Sequence, residues 1–241
     1  RDLMTSLNVV LSGASGRIAY SLIPFICMGE SFGPNVSINL RLLDIEQCQM
    51  KNEGVKMEIL DSNYPLVEEV VTPIDPAVAF QDADVAILLG GFPRLPGMQR
   101  KDLIAKNVTI MLTQSNALEM YAKKDVKVVV VANPSNTNCL FASKAAPSIP
   151  AKNFTCLLRL DHDRLLGMLA AELNSKGLGE RIHPDKIRGV AVFGNHSNTQ
   201  VPHIDGGEVS VGGQWVPILD LVDPQWATEV LPGMLQHRGA E

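Results

Sequence analysis

The stretch from Asn8 to Asp44 constrains the fold more than any other part of the chain. Val9, Val10 and Leu11 form a short aliphatic run of the kind found in a buried parallel strand. Gly13 and Gly16 follow at once, and an apolar helical pattern then begins at Ile18, Leu22, Ile23, Phe25 and Ile26. A strand, a tight glycine turn and a helix N-terminus in that order create an anion site, because free N–H groups and the positive end of the helix dipole converge on it. Gly13 would permit the turn, Gly16 would let the backbone approach a pyrophosphate, and Ala19 would allow close helix–strand packing. A second strand, Ile38 to Leu43, delivers Asp44, an acid placed to bond ribose hydroxyls. The spacing is Gly-x-x-Gly-x-x-Ala, and Asp44 follows Gly13 by about 31 residues rather than the usual ~20, with Gly29 to Asn35 as the extra loop.

The remaining pattern extends this beginning. Glu46 to Leu60 reads as a helix, Val67 to Val71 as a short strand, and Asp84 to Leu89 as a buried strand followed by the glycine- and proline-rich loop 90–97. Lys101 to Ala122 is expected to be helical, and Lys127 to Val131 is a strand closed by Ala132-Asn133-Pro134. The β-α-β alternation predicts a doubly wound parallel α/β sheet over residues 1–157. Residues 158–241 differ: a helix at Asp161 to Leu173, a strand at Ile187 to Phe193, and a hairpin from Glu208–Val211 and Gln214–Val216 around Gly212-Gly213. The chain reaches Glu241 with a helical pattern still running.

Composition removes several function classes. A net charge of −5 with no basic cluster argues against nucleic acid. No apolar run approaches the roughly 18 residues of a membrane span, and the first residues carry no signal-peptide core. The four cysteines, Cys27, Cys48, Cys139 and Cys156, are scattered, as expected of buried thiols in a reducing compartment. His183, His203 and His237 have no partners at ligand spacing, so no metal is expected.

Certain residue types suit the oxidation of an alcohol by a bound dinucleotide, which removes a proton from oxygen and a hydride from carbon. Histidine is the side chain that changes charge near neutral pH, and His196 follows a strand. Asp161 is a candidate to hold the other ring nitrogen and stabilise the imidazolium. Two guanidinium forks in one site would suit a dicarboxylate. Arg164, one helical turn after Asp161, and Arg94, in the 90–97 loop, are the candidates, while Arg100 is placed to polarise a carbonyl. Asn133, at a strand end, is a candidate for the substrate hydroxyl. Asp44 without a following arginine favours NAD over NADP, and Arg41 should point away from it on the strand.

Six segments, in order along the chain, carry a resemblance: Gly13-Ala-Ser-Gly-Arg-Ile-Ala19, Leu43-Asp44, Pro93-Arg-Leu-Pro-Gly-Met-Gln-Arg100, Ala132-Asn-Pro-Ser-Asn-Thr-Asn138, Leu160-Asp-His-Asp-Arg164 and Gly194-Asn-His-Ser197. With these the chain resembles the cytosolic-type malate dehydrogenases of the lactate/malate dehydrogenase superfamily. The resemblance implies a Rossmann domain over 1–157 and an α+β substrate domain over 158–241 that is C-terminally incomplete. It implies a homodimer, a cytoplasmic location, a small dicarboxylate substrate, and NAD as cofactor. NAD contacts are implied at Gly13, Ala14, Ser15, Gly16, Arg17, Ile18, Ala19, Asp44, Val131, Ala132 and Asn133, and at Asn107 and Gln114, which otherwise read as ordinary helix-surface residues. His196 and Asp161 are implied as catalytic, with Arg94, Arg100, Asn133 and Arg164 on the substrate. In the family an arginine at position 94 selects a four-carbon diacid. Asn174 to Lys186 reads as a surface insertion relative to these proteins. The rival readings are a dehydrogenase of another 2-hydroxy acid, or a truncated nucleotide-binding relative without activity. A short-chain reductase is set aside, since none of Tyr20, Tyr64 and Tyr121 has a lysine four residues on.

Overall fold

A computed structural model describes residues 5–92, 97–194, 196 and 198–240, with the side chains at 100, 101 and 238–240 outside the description. The chain divides into two compact units, Arg1–Leu157 and Leu158–Glu241.

The first unit is built on a six-stranded parallel sheet of order β3-β2-β1-β4-β5-β6. Its strands are β1 (Thr5–Ser12), β2 (Val36–Leu43), β3 (Val67–Val71), β4 (Val85–Leu88), β5 (Lys127–Val130) and β6 (Phe154–Cys156). The helices are α1 (Arg17–Cys27), α2 (Gln49–Asp61), α3 (Pro76–Phe80), α4 (Arg100–Tyr121) and α5 (Ser135–Ala145). Side-chain alternation explains why the central strands are apolar throughout. Val9 and Leu11 of β1 pack in a cluster with Ile23 and Ile26 of α1 and Val55 and Ile59 of α2. Val10, between them, packs in a second cluster with Phe80 of α3, Met111 and Leu118 of α4, and Ala142 of α5. Both faces of the sheet are therefore covered. The β1–β2 register places Ser12 opposite Leu43, which brings Gly13 and Asp44 to the same edge.

One detail departs from the sequence expectation, and one helix lies where the sequence reading made none. The helix expected from Glu46 begins as a 3-10 turn, Glu46–Cys48, before α2 takes over. The polar run Ser135-Asn-Thr-Asn138, weak as a helix start, nonetheless opens α5. Asn138 contributes there by donating to the Ala132 carbonyl at 2.8 Å.

In the second unit, α6 (Arg159–Ser175) lays Leu165, Leu166, Leu169, Ala170 and Leu173 into one core, a helical stripe. The strand expected over Ile187 to Phe193 is two strands in two sheets. β7 (Ile187–Arg188) pairs with β10 (Glu208–Val211), and β8 (Ala191–Phe193) pairs with β9 (Val201–His203). The break is at Gly189, whose φ of 72° is left-handed and where a side chain would run into the Gly206 carbonyl. The hairpin forms as expected, with β10 antiparallel to β11 (Gln214–Pro217) around Gly212 and Gly213, both at positive φ. The chain ends in α7 (Leu231–Ala240). The stretch Asn174 to Lys186 is more than a surface insertion. Ile182 is buried in the core, and the Asn174 amide clasps its backbone, accepting from its N–H at 2.8 Å and donating to its carbonyl at 2.9 Å.

Candidate active site

A cavity of about 660 Å³ in the first unit is lined by Gly13, Ser15, Gly16, Asp44, Gly90 and Gln114, among others. The turn that shapes it requires glycine. Gly13 has φ 67°, and a Cβ there would sit 2.6 Å from the Gly90 Cα. The Gly16 N–H donates to the Gly13 carbonyl at 3.0 Å, closing the turn, and Gly16 is the N-cap of α1 with no side chain capping it. Ala14 and Ala19 are buried, Ser15 nearly so, while Arg17 and Ile18 are exposed.

Asp44 ties the glycine turn to the second strand. One carboxylate oxygen accepts from the Ser15 N–H and the other from the Ile45 N–H, each at 2.9 Å. Arg41 points elsewhere, donating to the Ala79 carbonyl at 3.0 Å and to that of Gln81. Asp44 thus lies beside the turn with no cation bonded to it among the described residues.

Asn107 and Gln114 are not surface residues. Both lie on the inner side of α4, with Asn107 1% and Gln114 9% exposed. The mean polarity of α4 hides this, because its polar and charged residues outnumber its aliphatic ones. The Gln114 Oε1 is buried without a partner, and its residue lines the cavity. A buried acceptor of this kind asks for a donor. The glycine cradle, the uncapped helix start and this orphaned amide suit a dinucleotide with a pyrophosphate and amide or hydroxyl donors. Val131 and Ala132 continue beyond β5, their N–H groups donating to the Leu88 carbonyl at 2.9 and 3.1 Å. Asn133 is exposed, and its bond to Pro134 is cis.

A second constellation lies within the second unit. Asp161, in the first turn of α6, is favoured there by the helix dipole. Its Oδ2 lies 2.7 Å from His196 Nδ1, and its Oδ1 accepts from Arg164 Nη1 at 2.8 Å. One carboxylate thus orients an imidazole and a guanidinium together. Asp161 is mostly buried, at 13% side-chain exposure, whereas His196 is 41% exposed. Of its neighbours, Asp163 is exposed and paired with Arg159 at 3.0 Å, and His162 is half-buried. Arg94 lies outside the described residues, as does the side chain of Arg100, whose backbone begins α4. Among the described residues no group of three His, Cys, Asp or Glu could hold a metal ion.

Residues 7–155 match the lactate/malate dehydrogenase NAD binding domain family. The chain belongs to the lactate/malate dehydrogenase family. It is 45% identical to the cytoplasmic malate dehydrogenase of Gallus gallus over 235 residues, covering 97% of this chain and 68% of that protein. The Homo sapiens cytoplasmic enzyme is 44% identical over the same shares. Among solved structures, malate dehydrogenase from Naegleria fowleri superposes with a TM-score of 0.86 at 41% identity, over 97% of this chain and 68% of that one. A Trichomonas vaginalis lactate dehydrogenase in complex with NADH and oxamate superposes with a TM-score of 0.88 at 30% identity, over 96% and 68%. The chain spans about two thirds of the length of these family members.

Proposed function

We propose that this chain is an NAD-dependent malate dehydrogenase that interconverts malate and oxaloacetate. The observation that carries the chemistry is the Asp161 carboxylate shared between His196 Nδ1 and Arg164 Nη1. With Nδ1 held by Asp161, Nε2 is the ring nitrogen that exchanges a proton with the substrate oxygen, and the carboxylate stabilises the imidazolium. NADH, when bound, supplies the hydride to the substrate carbonyl carbon. Gly13, Ser15, Gly16, Asp44 and Gln114, which line the cavity, hold the dinucleotide together with Ala14, Arg17, Ile18, Ala19, Asn107, Val131, Ala132 and Asn133, and Asp44 favours NAD because its charge repels a 2′-phosphate.

Arg164 engages the carboxylate beside the reacting carbon. Only one of its five N–H groups is needed for Asp161, so a bidentate fork remains for the substrate. Arg94 holds the far carboxylate, Arg100 polarises the carbonyl, and the Asn133 amide bonds the substrate oxygen. Residues 1–157 act as the cofactor domain and 158–241 as the substrate domain.

A homodimer fits the surface of the first unit. Tyr20 donates to Glu58 at 2.6 Å, joining α1 to α2, and on and just past these two helices Phe25, Met28, Met57 and Leu60 are exposed. Exposed apolar side chains of this kind are suited to a second copy of the chain. The cytoplasmic names of the relatives support the same location here, and no helix among the described residues is long and apolar enough to cross a membrane.

The test is NADH oxidation by this chain with oxaloacetate, pyruvate and phenylpyruvate, repeated on Arg94→Gln. Fast turnover of oxaloacetate alone, lost in the variant, supports both the reaction and its specificity residue. Preference for a monocarboxylate would move the function to another 2-hydroxy acid. NADH binding without turnover of any substrate would leave a nucleotide-binding relative.

A further inference from the structure

Among the described residues, Cys48 is the cysteine that lines the cavity of the first unit, together with Asp44, Ile45, Ile74 and Pro76. Two observations show that this cavity is built to be filled. Gln114 lines it at 9% exposure with an Oε1 that has no partner. Ile45 and Ile74 also line it, yet they are 61% and 50% exposed, an apolar surface that a flat ring would cover. Cys48 itself is a free, half-buried thiol. It is the N-cap of α2, and its side chain makes no capping hydrogen bond, so the sulfur is not committed to the helix. A helix N-terminus also favours the negative charge of an attacking sulfur. The other cysteines sit differently. Burial pushes the Cys27 and Cys139 thiols up to about 12 and about 11, and Cys139 and Cys156 pack against the core of the sheet.

Resting on the reading of this cavity as the dinucleotide site, we propose that Cys48 is a modification site for a small organic disulfide, open while the cofactor is absent and covered while it is bound. The Cys48 sulfur, as thiolate, attacks one sulfur of the disulfide R–S–S–R. A Cys48–S–SR bond forms as the old S–S bond breaks, and the other half leaves as RS⁻, which takes up the proton that Cys48 gave up. The disulfide is the oxidant, and a dithiol reverses the step by the same exchange. The added group fills the space beside Asp44, the acid placed to bond the adenosine ribose, so the modified chain cannot seat that end of the dinucleotide. Cofactor binding and thiolation exclude one another, and each sets the extent of the other.

The experiment treats the chain with oxidised glutathione, with and without NADH, and reads the modified cysteines by peptide mass spectrometry. NADH affinity is measured by fluorescence before and after treatment, with thermal melting as a control. Cys48 should be the first cysteine modified. With NADH at about 100 times its Kd only about 1% of the chains are free, so modification of Cys48 should slow about 100-fold while that of Cys156 is unchanged. ADP-ribose should protect as NADH does, and nicotinamide mononucleotide should not, because Cys48 lies at the Asp44 end of the cavity. The modified chain should bind NADH more than about tenfold more weakly, melt like the parent, and regain its affinity on dithiothreitol. In Cys48→Ser the affinity, whatever its value, should be the same before and after treatment. The proposal is overturned if oxidised glutathione leaves Cys48 of the free chain unmodified, or if saturating NADH slows its modification by less than about threefold. Equal protection by nicotinamide mononucleotide also overturns it, as does a loss of NADH binding in treated Cys48→Ser or one that accompanies a lowered melting temperature. If the untreated parent does not bind NADH, the dinucleotide reading fails and takes the proposal with it, a result read before any disulfide is added.

Discussion

Replacing Asp161 with asparagine tests the acid/base assembly most directly. The variant is nearly isosteric, and its Oδ1 still accepts from Arg164, so its amide N–H₂ turns toward His196. Two losses result. The negative charge beside the imidazolium disappears, and Nδ1 becomes an acceptor, which places the neutral ring's proton on Nε2 where the base should be. The first loss can be bounded. Opposite unit charges ~4 Å apart interact by about 4 kcal/mol at an effective dielectric of 20 and about 1 kcal/mol in water. Asp161 is mostly buried but His196 is 41% exposed, so an intermediate value of about 2 kcal/mol is appropriate. At ~1.4 kcal/mol per decade that is about 30-fold in rate, and the wrong tautomer should carry the total beyond about 100-fold. The assay is kcat/KM at saturating cofactor in both directions, with NADH affinity and thermal melting as controls. Because the equilibrium belongs to the reactants, kcat/KM must fall by the same factor for malate and for oxaloacetate. An Asp161→Asn variant that melts like the parent and keeps kcat/KM within about threefold would refute the reasoning.

Three further outcomes are expected. Gly13→Ala should lose about 3 kcal/mol of unfolding free energy in urea titration and abolish NADH binding, since φ 67° is unfavourable for alanine and its Cβ would meet Gly90. Asp44→Asn should weaken NADH relative to NADPH by about tenfold in fluorescence titration, because the carboxylate's repulsion of a 2′-phosphate is lost. Burial pushes the Cys27 thiol up to about 12 and, with Cys156 nearby, Cys139 up to about 11. At pH 8 the Cys139 thiolate fraction is about one in a thousand, so maleimide labelling with mass spectrometry should find both slow relative to an unhindered thiol, and faster as pH rises.

Much of the first unit was legible because its signals are local and agree with one another. Val9 to Leu11 is apolar on both faces, as a strand covered on both sides must be, and the glycines come where the turn needs them. The division of Ile187 to Phe193 was not legible, because a largely apolar run does not record which sheet each half joins. Only Gly189 marked the break, and its need for a left-handed backbone depends on the approach of Gly206, distant in sequence. The Asp161, Arg164 and His196 types suggested their chemistry from the sequence, but the sharing of one carboxylate is a matter of angle and distance. Asn107 failed differently. A lone asparagine among charged helix residues resembles any exposed amide, and both of its partners lie in loops whose course the sequence does not specify.

The register of β1 against β2 has a consequence for how such nucleotide sites are recognised. Ser12 faces Leu43 whatever the chain does between Gly29 and Asn35, because ladder hydrogen bonds rather than loop length set that pairing. The separation of glycines and acid along the chain is therefore a free variable, and their meeting in space is not. A pattern search that counts residues measures the part that an insertion can alter. One that first aligns the two strands, and then compares the residues just past their ends, measures the part that the ladder holds fixed.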